Sequence, residues 1–160
     1  GLFRTAAADH DELTEIARQI DRRLEPYLGD EDFVTALLVD IEPDGAATFV
    51  SCGHPSPLLA RDGALSSIVC PPTLPLGLGT EPVSLELLMK PGDRVLLYTD
   101  GLIESRDPAT GEFVHLDEVA APLASGELGA VLGNVLARVQ KVVGQQMADD
   151  LAMLVVEYEG

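Results

Sequence analysis

The feature that most constrains the fold is a series of short apolar runs separated by tight turns. The pairs Asp44-Gly45, Asp62-Gly63 and Pro91-Gly92 each stand between two such runs. These residue types suit hairpin turns, because glycine readily adopts the left-handed backbone that such turns require. Strands that are joined by so short a turn run antiparallel. The pattern therefore predicts antiparallel sheet in the middle of the chain.

The predicted strands are residues 33–41, 46–51, 58–61, 65–69, 83–89, 94–99 and 151–158. The first is apolar on both faces, so we expect it to be covered on both sides. The strand 83–89 alternates, and its apolar residues would share one face. Residues 70–82 hold four of the 11 prolines and are predicted to form a loop.

Helical periodicity appears at both ends of the chain. Residues 9–27 predict an amphipathic helix, with Asp9 and Glu12 at N-cap and N3 spacing and with Asp21 on the solvated face. Further helices are predicted over 102–105, 116–123 and 128–143, and Gly144 suits the end of the last one. This order of helix, strands, helices and strand predicts an α+β domain with a mainly antiparallel sheet.

Length and charge exclude several classes of protein. The 160 residues suit a single domain, predicted to span 1–160. The net charge of −17 disfavours nucleic acid as a partner, because a phosphate backbone would be repelled. An apolar run long enough for membrane insertion is lacking. The two cysteines, Cys52 and Cys70, are too few for a disulfide scaffold and favour a reduced, cytoplasmic location.

Asp100 is the first candidate for chemistry. It follows the apolar strand 94–99 and precedes Gly101, which would let another group approach the backbone closely. An aspartate at a strand end is a common metal ligand, although an Asp-Gly pair is more often an ordinary turn. An aspartyl nucleophile of the haloacid-dehalogenase type is excluded, because the second aspartate that it needs would stand where Tyr98 does.

Asp149 and Asp150 are the second candidate, directly before the last strand. If this strand and 94–99 are antiparallel neighbours, both aspartate positions fall at the same end of the sheet. Close carboxylates repel one another unless a proton or a cation intervenes, and Mg²⁺ or Mn²⁺ accepts such oxygen ligands. The alternative is a solvated acidic turn.

Cys52 and His54 invite a third interpretation, a cysteine–histidine nucleophile. Residues two apart in a strand share a face but lie too far apart for a tight hydrogen bond, so a structural bend at Gly53 is favoured.

Four motifs in this order carry a resemblance: GHPSPLL at 53–59, PLGL at 75–78, PGDRVLLYTDGLIE at 91–104 and DDLAMLVV at 149–156. Together they resemble the SpoIIE-like branch of the metal-dependent PPM serine/threonine protein phosphatases, over essentially the whole chain. The resemblance implies a four-layer αββα sandwich. It implies hydrolysis of phosphoserine or phosphothreonine by a water that two Mn²⁺ or Mg²⁺ ions activate.

The resemblance also implies roles for individual residues. Asp100 and Asp149 match metal ligands of the family. Gly101, Glu104 and Asp150 would lie beside the metal ligands. Gly53, Pro57 and Gly77 match structural positions, and the helix predicted over 9–27 corresponds to one that acts as a regulatory switch in some members.

The family's N-terminal Gly-Asp motif is the one departure. Its aspartate bridges both metals, and no residue before the predicted helix matches it. We therefore expect this sequence to lack the first strands of the domain, to bind metal less well, and to oligomerise or exchange strands between copies. The implied partner is a phosphorylated regulator of the anti-anti-sigma type. The alternative function is a catalytically silent regulatory or protein-interaction module on the same fold.

Overall fold

The computed structural model describes residues 12–29, 31–144 and 150–160. The strands are β1 (Ala36–Ile41), β2 (Ala46–Cys52), β3 (Leu58–Arg61), β4 (Ala64–Ser67), β5 (Ser84–Leu88), β6 (Arg94–Tyr98) and β7 (Met153–Glu157). The helices are α1 (Leu13–Leu24), α2 (Gly101–Glu104), α3 (Leu116–Val119) and α4 (Leu128–Val143), with 3₁₀ turns at Glu25–Tyr27 and Ala121–Ala124. None of the helices in these ranges is long and apolar enough to cross a membrane.

The strands form two sheets, in the orders β1-β2-β5 and β4-β3-β6-β7. Every pairing between these strands is antiparallel, which confirms the predicted α+β class with mainly antiparallel sheets. The Asp62-Gly63 turn between β3 and β4 has positive φ angles at both residues, 52° and 78°. This backbone matches the twist of a hairpin, which explains why the turn could be predicted from the residue pair.

The chain divides into two compact units, Gly1–His54 with Val69–Met89 and Pro55–Ile68 with Lys90–Gly160. In the first unit, α1 packs on the three-stranded sheet. Its buried residues Ile16, Ala17 and Ile20 contact Leu38 and Val50 in one apolar cluster. The i, i+4 spacing of the helical residues thus points one stripe at the sheet, as their periodicity predicts.

The second unit has a core of its own. The buried residues of α4 are Val131, Val135, Val139 and Val143, one per turn of the helix. They share a cluster with residues of β3, β6 and α2. Gly144 ends α4 with a φ of 65°, and its amide donates to the Gln140 carbonyl. The predicted span and end of this helix are confirmed.

The start of α1 differs from the prediction. Asp9, the predicted N-cap, lies outside the described residues. Glu12, predicted at the third helical position, has an extended backbone with φ −94° and ψ 123°, so α1 begins at Leu13. A 3₁₀ turn that contains Pro26 follows α1 at Leu24, because proline has no amide hydrogen with which to continue the helix.

The environment predicted for β1 is wrong. The strand begins at Ala36, and Leu38 is its one buried residue. Phe33 and Val34, which precede β1, are 56% and 40% exposed. In the part of the chain that the structure describes, β1 pairs along its length with β2 alone, so it stands at the edge of its sheet.

The helix predicted over 116–123 is interrupted. α3 ends at Val119, and a 3₁₀ turn with Pro122 replaces its last turn. Pro122 cannot donate to the Glu118 carbonyl, as a helical residue at this position would. The guanidinium of Arg138 donates to that carbonyl instead, at 2.9 Å.

Candidate metal centre

The candidate centre is built on the pairing of β6 with β7. Tyr98 stands opposite Met153, so β6 ends where β7 begins. Beyond the strands, the Thr99 amide donates to the Ala152 carbonyl at 3.0 Å. The predicted antiparallel neighbourhood of these two strands is confirmed, and it brings Asp100 and Asp150 to the same end of the sheet.

The Thr99 hydroxyl strengthens this junction. It donates to the Asp150 carbonyl at 2.8 Å and accepts from the Ala152 amide at 2.9 Å. One side chain at the end of β6 therefore binds the backbone on both sides of Leu151. Sequence reasoning missed this role. A β-branched hydroxyl residue directly before the Asp-Gly pair was the available signal.

Asp100 precedes the short helix α2. Its carbonyl accepts the Glu104 amide at 2.9 Å, while its carboxylate makes no capping hydrogen bond and is exposed to solvent. Gly101 is buried, and its carbonyl accepts the Ser105 hydroxyl at 2.7 Å. The backbone around Asp100 is thus held by its neighbours, while the carboxylate does no structural work in α2.

The other predicted site residues divide into two groups. Glu104 and Asp150 are both exposed, Glu104 in the last turn of α2 and Asp150 next to the Thr99 junction. Asp149, the second predicted metal ligand, lies outside the described residues. The structure therefore brings Asp100 and Asp150 to one sheet end and leaves the position of Asp149 undescribed.

The donor chemistry suits a hard cation, because the candidate side chains offer only carboxylate oxygens. A metal site needs more of them. Residues 12–29, 31–144 and 150–160 contain no group of three or more histidine, cysteine, aspartate or glutamate side chains that could hold a metal ion. Asp100 and Asp150 thus fit Mn²⁺ or Mg²⁺ by donor type but do not by themselves make a complete site.

Tyr98, the last residue of β6, points into the core. It is 6% exposed, and its hydroxyl donates to the Ser56 carbonyl at 2.8 Å. Burial raises the pKa of this phenol. Tyr98 thus anchors the strand before Asp100, and it fills the position at which a haloacid-dehalogenase site would need an aspartate.

An ion pair that the sequence analysis missed supports the start of β6. Nε of Arg61 lies 3.0 and 3.1 Å from the two carboxylate oxygens of Asp93, and the Lys90 amide donates to Asp93 at 2.7 Å. Asp93 is 2% exposed. The turn that leads into β6 is therefore fixed by a buried carboxylate whose hydrogen bonds are satisfied.

The two glycines matched as structural positions have steric reasons. Gly53 has a φ of 66°, and a Cβ atom there would lie 2.5 Å from Cγ of Pro75. Gly77 has a φ of 94°, and its amide donates to the Asp21 carboxylate at 2.6 Å. The placement of Asp21 on the solvated face of α1 is therefore wrong, since Asp21 is 9% exposed and its carboxylate accepts the Gly77 amide.

Cys52 is not poised as a nucleophile. It is fully buried, and burial raises the pKa of its thiol, which disfavours the reactive thiolate. His54 turns its Nδ1 toward the Thr35 hydroxyl, 3.5 Å away. The structural bend at Gly53 is the interpretation that the geometry supports.

Solved structures share this fold. The RsbU and RsbW domains of Rv1364c from Mycobacterium tuberculosis align at 25% identity and a TM-score of 0.79, over 98% of this chain and 44% of that one. The PP2C phosphatase domain of SpoIIE from Bacillus subtilis, with a fragment of its regulatory domain, aligns at 20% identity and a TM-score of 0.78, over 98% and 47%. The chain thus spans less than half the length of either.

A third structure is the catalytic domain of the serine/threonine protein phosphatase PstP in complex with two manganese ions. It aligns at 18% identity and a TM-score of 0.64, over 96% of this chain and 77% of that one. The fold is therefore that of the PP2C-type, or PPM, protein phosphatases. The chain belongs to the Stage II sporulation protein E (SpoIIE) family, whose model matches residues 1–159.

Proposed function

We propose that the chain is the phosphatase domain of a metal-dependent protein serine/threonine phosphatase. The observation that carries the proposal is the pairing of β6 with β7 and the hydrogen bonds of Thr99 beyond it. Thr99, directly before Asp100, binds the Asp150 carbonyl and the Ala152 amide, in the segment that follows Asp149. Membership of the SpoIIE family and the PPM-type fold support the same conclusion.

In this proposal Asp100 and Asp149 bind Mn²⁺ or Mg²⁺, and Gly101, Glu104 and Asp150 lie beside them. The two manganese ions of the PstP complex support this choice of metal. When bound, the cations would lower the pKa of a water and neutralise charge on the phosphate. An acidic chain needs such neutralisation, because its net charge of −17 would otherwise repel a phosphorylated protein.

The residues of this chain contribute binding and positioning. The exposed carboxylate of Asp100 is accessible to a cation and to a phosphorylated side chain from solvent. Thr99 and Tyr98 fix the backbone on which Asp100 stands, through the Asp150 and Ser56 carbonyls respectively. Groups that hold a metal-ligating residue in place also affect the affinity of the site for the metal ion.

The proposed substrate is a phosphorylated regulatory protein of the anti-anti-sigma type, in the cytoplasm. The RsbU domain among the solved relatives supports a regulatory protein partner. The two cysteines of the described chain, both buried and unpaired, are consistent with a reducing compartment.

The test is Mn²⁺-dependent phosphate release from a phosphoserine regulator, together with calorimetric titration of Mn²⁺. We expect Asp100→Asn to weaken Mn²⁺ binding by about 100-fold or more and to abolish the metal-dependent release, because it removes a charged ligand. Asp40→Asn, at an exposed position of β1, is the matched control and should change neither quantity.

Two outcomes would contradict the proposal. Metal-dependent release that survives Asp100→Asn would remove Asp100 from the site. A protein that binds the regulator, releases no phosphate and shows the same Mn²⁺ affinity with and without Asp100→Asn would instead be the silent interaction module.

A further inference from the structure

A groove of about 540 Å³ lies in the second unit, between the 3₁₀ turn Ala121–Ala124 and the exposed face of α4. Ser125 and Gly126 line one side, and Asn134, Arg138 and Lys141 line the other. Asp100, Glu104 and Asp150 do not line it, so the groove is separate from the candidate metal centre.

The groove carries a charge opposite to that of the whole chain. Arg138 and Lys141 stand three residues apart on α4, a spacing that puts both on the same face of the helix. Both are exposed, and in the part of the chain that the structure describes neither forms an ion pair. By contrast, Arg61 and Arg94 of the same unit each bind a carboxylate. Two neighbouring cations on one helix face, with no acidic partner among the described residues, stand out in a chain with 27 acidic and 10 basic residues.

Arg138 is also oriented. Its Nη1 donates to the Glu118 carbonyl, which Pro122 leaves without its helical donor. One edge of the guanidinium is thereby tethered to the protein at the rim of the groove. Its other donors keep the planar fork geometry that matches a carboxylate.

The shape of the groove favours an extended ligand. A second concavity of about 270 Å³ shares Ser125 and Gly126 as lining residues and continues past them to Gly92, to Asp62 and to Arg94, which is paired with Glu157. Cavities of roughly 300–1,000 Å³ hold ligands of many atoms rather than single ions. Clusters of basic residues that meet an acidic segment are a recurrent mode of peptide recognition.

From these observations we propose that the groove binds an acidic segment of a protein partner, whose carboxylates pair with Arg138 and Lys141. The acidic surface elsewhere does not prevent this, because charges more than about 8 Å apart are largely screened at physiological salt. The interaction goes beyond the proposed phosphatase function and requires no metal, so a binding measurement without metal tests it independently.

The experiment measures binding of a fluorescein-labelled peptide of alternating glutamate and serine, by fluorescence anisotropy at about 0.15 M salt. We expect the double variant Arg138→Ala, Lys141→Ala to bind about tenfold more weakly, because two exposed ion pairs are lost. Alanine suits exposed helix positions, and water can replace Arg138 as the donor to the exposed Glu118 carbonyl, so the fold should persist. The double variant Arg18→Ala, Arg22→Ala removes the same charge from α1 and should bind as the unchanged protein does.

Inorganic phosphate provides a second arm. If phosphate displaces the peptide only at concentrations far above that of the peptide, the peptide makes more contacts with the groove than a single anion does, as proposed. Displacement at equal concentration would overturn the proposal in favour of a simple anion site. Absent binding of the peptide, or an equal loss in both double variants, would overturn it as well.

Discussion

At the scale of single residues, Asp93 links charge to stability. Burial by itself would raise the pKa of Asp93, but hydrogen bonds from Arg61 and from the Lys90 amide outweigh burial and hold the pKa below its usual value. A carboxylate with a lowered pKa in the folded state stabilises the fold above its unfolded pKa, about 3.9. That contribution is lost as the pH falls through the folded pKa.

We therefore expect Asp93→Asn to lower the free energy of unfolding by about 2–3 kcal/mol at pH 7, because it removes the buried carboxylate charge that pairs with Arg61. The difference from the unchanged protein should shrink as the pH falls below about 4, because that protein gains the proton only as the pH passes through the lowered pKa of Asp93. Urea denaturation at each pH measures the difference.

Asp40→Asn again serves as the control, with an expected change of less than about 0.5 kcal/mol. A difference between Asp93→Asn and the unchanged protein that stays constant across this pH range would show that the charge of Asp93 is not what stabilises the turn.

The Arg61–Asp93 pair also shows what sequence reasoning cannot reach at this scale. The two residues are 32 positions apart, and no local pattern pairs one arginine with one aspartate among so many acidic residues. Asp21 was missed for a related reason. Helical periodicity assigns a charged residue to the solvated face. Only the folded structure shows that the Asp21 carboxylate accepts a hydrogen bond from the Gly77 amide.

At the scale of elements, the β6–β7 junction depends on one hydroxyl. Replacing Thr99 by valine keeps the shape and the β-branch but leaves the Ala152 amide without its acceptor. We expect Thr99→Val to cost about 1 kcal/mol and to speed hydrogen exchange of the Ala152 amide about tenfold, as the start of β7 loosens.

Thr99→Ser retains the hydroxyl and should keep exchange at Ala152 close to that of the unchanged protein. Nuclear magnetic resonance exchange measurements compare the two variants residue by residue. If both variants speed exchange equally, the methyl group of Thr99 rather than its hydrogen bonds holds the junction.

The elements themselves were largely predictable, because turn residues and periodicity are local signals. Asp62-Gly63 specifies its hairpin, and the apolar stripe of α4 specifies its span. The predicted elements are wrong where tertiary contacts determine the local structure. Pro122 interrupts a predicted helix, and the donor that then satisfies the Glu118 carbonyl is Arg138, 20 residues away.

At the scale of the whole molecule, the exposed region before β1 predicts self-association. Phe33 is 56% exposed beside a sheet edge that no other described strand covers. We expect the protein to form dimers or larger species as its concentration rises, because such edges pair with other chains. Light scattering coupled to size-exclusion chromatography measures the mass.

Phe33→Lys should shift the protein toward the monomer by adding a charge beside this edge. Val69→Lys, at a position that is 72% exposed, adds the same charge elsewhere and should leave the association unchanged. A protein that is monomeric at every concentration, or equally affected by both variants, would remove β1 as the contact.

The chain passes between its two units more than once, since residues 69–89 of the first unit separate the two segments of the second. During synthesis on the ribosome, the sheet β1-β2-β5 therefore cannot be completed until β5, which ends at Leu88, has been made. The sheet β4-β3-β6-β7 cannot be completed until β7, which ends at Glu157, has been made. Contacts between such distant segments slow folding. The hydrogen bonds of Thr99 beside Asp100 consequently form only after Asp150 and Ala152 have left the ribosome, so products terminated before these residues would lack them.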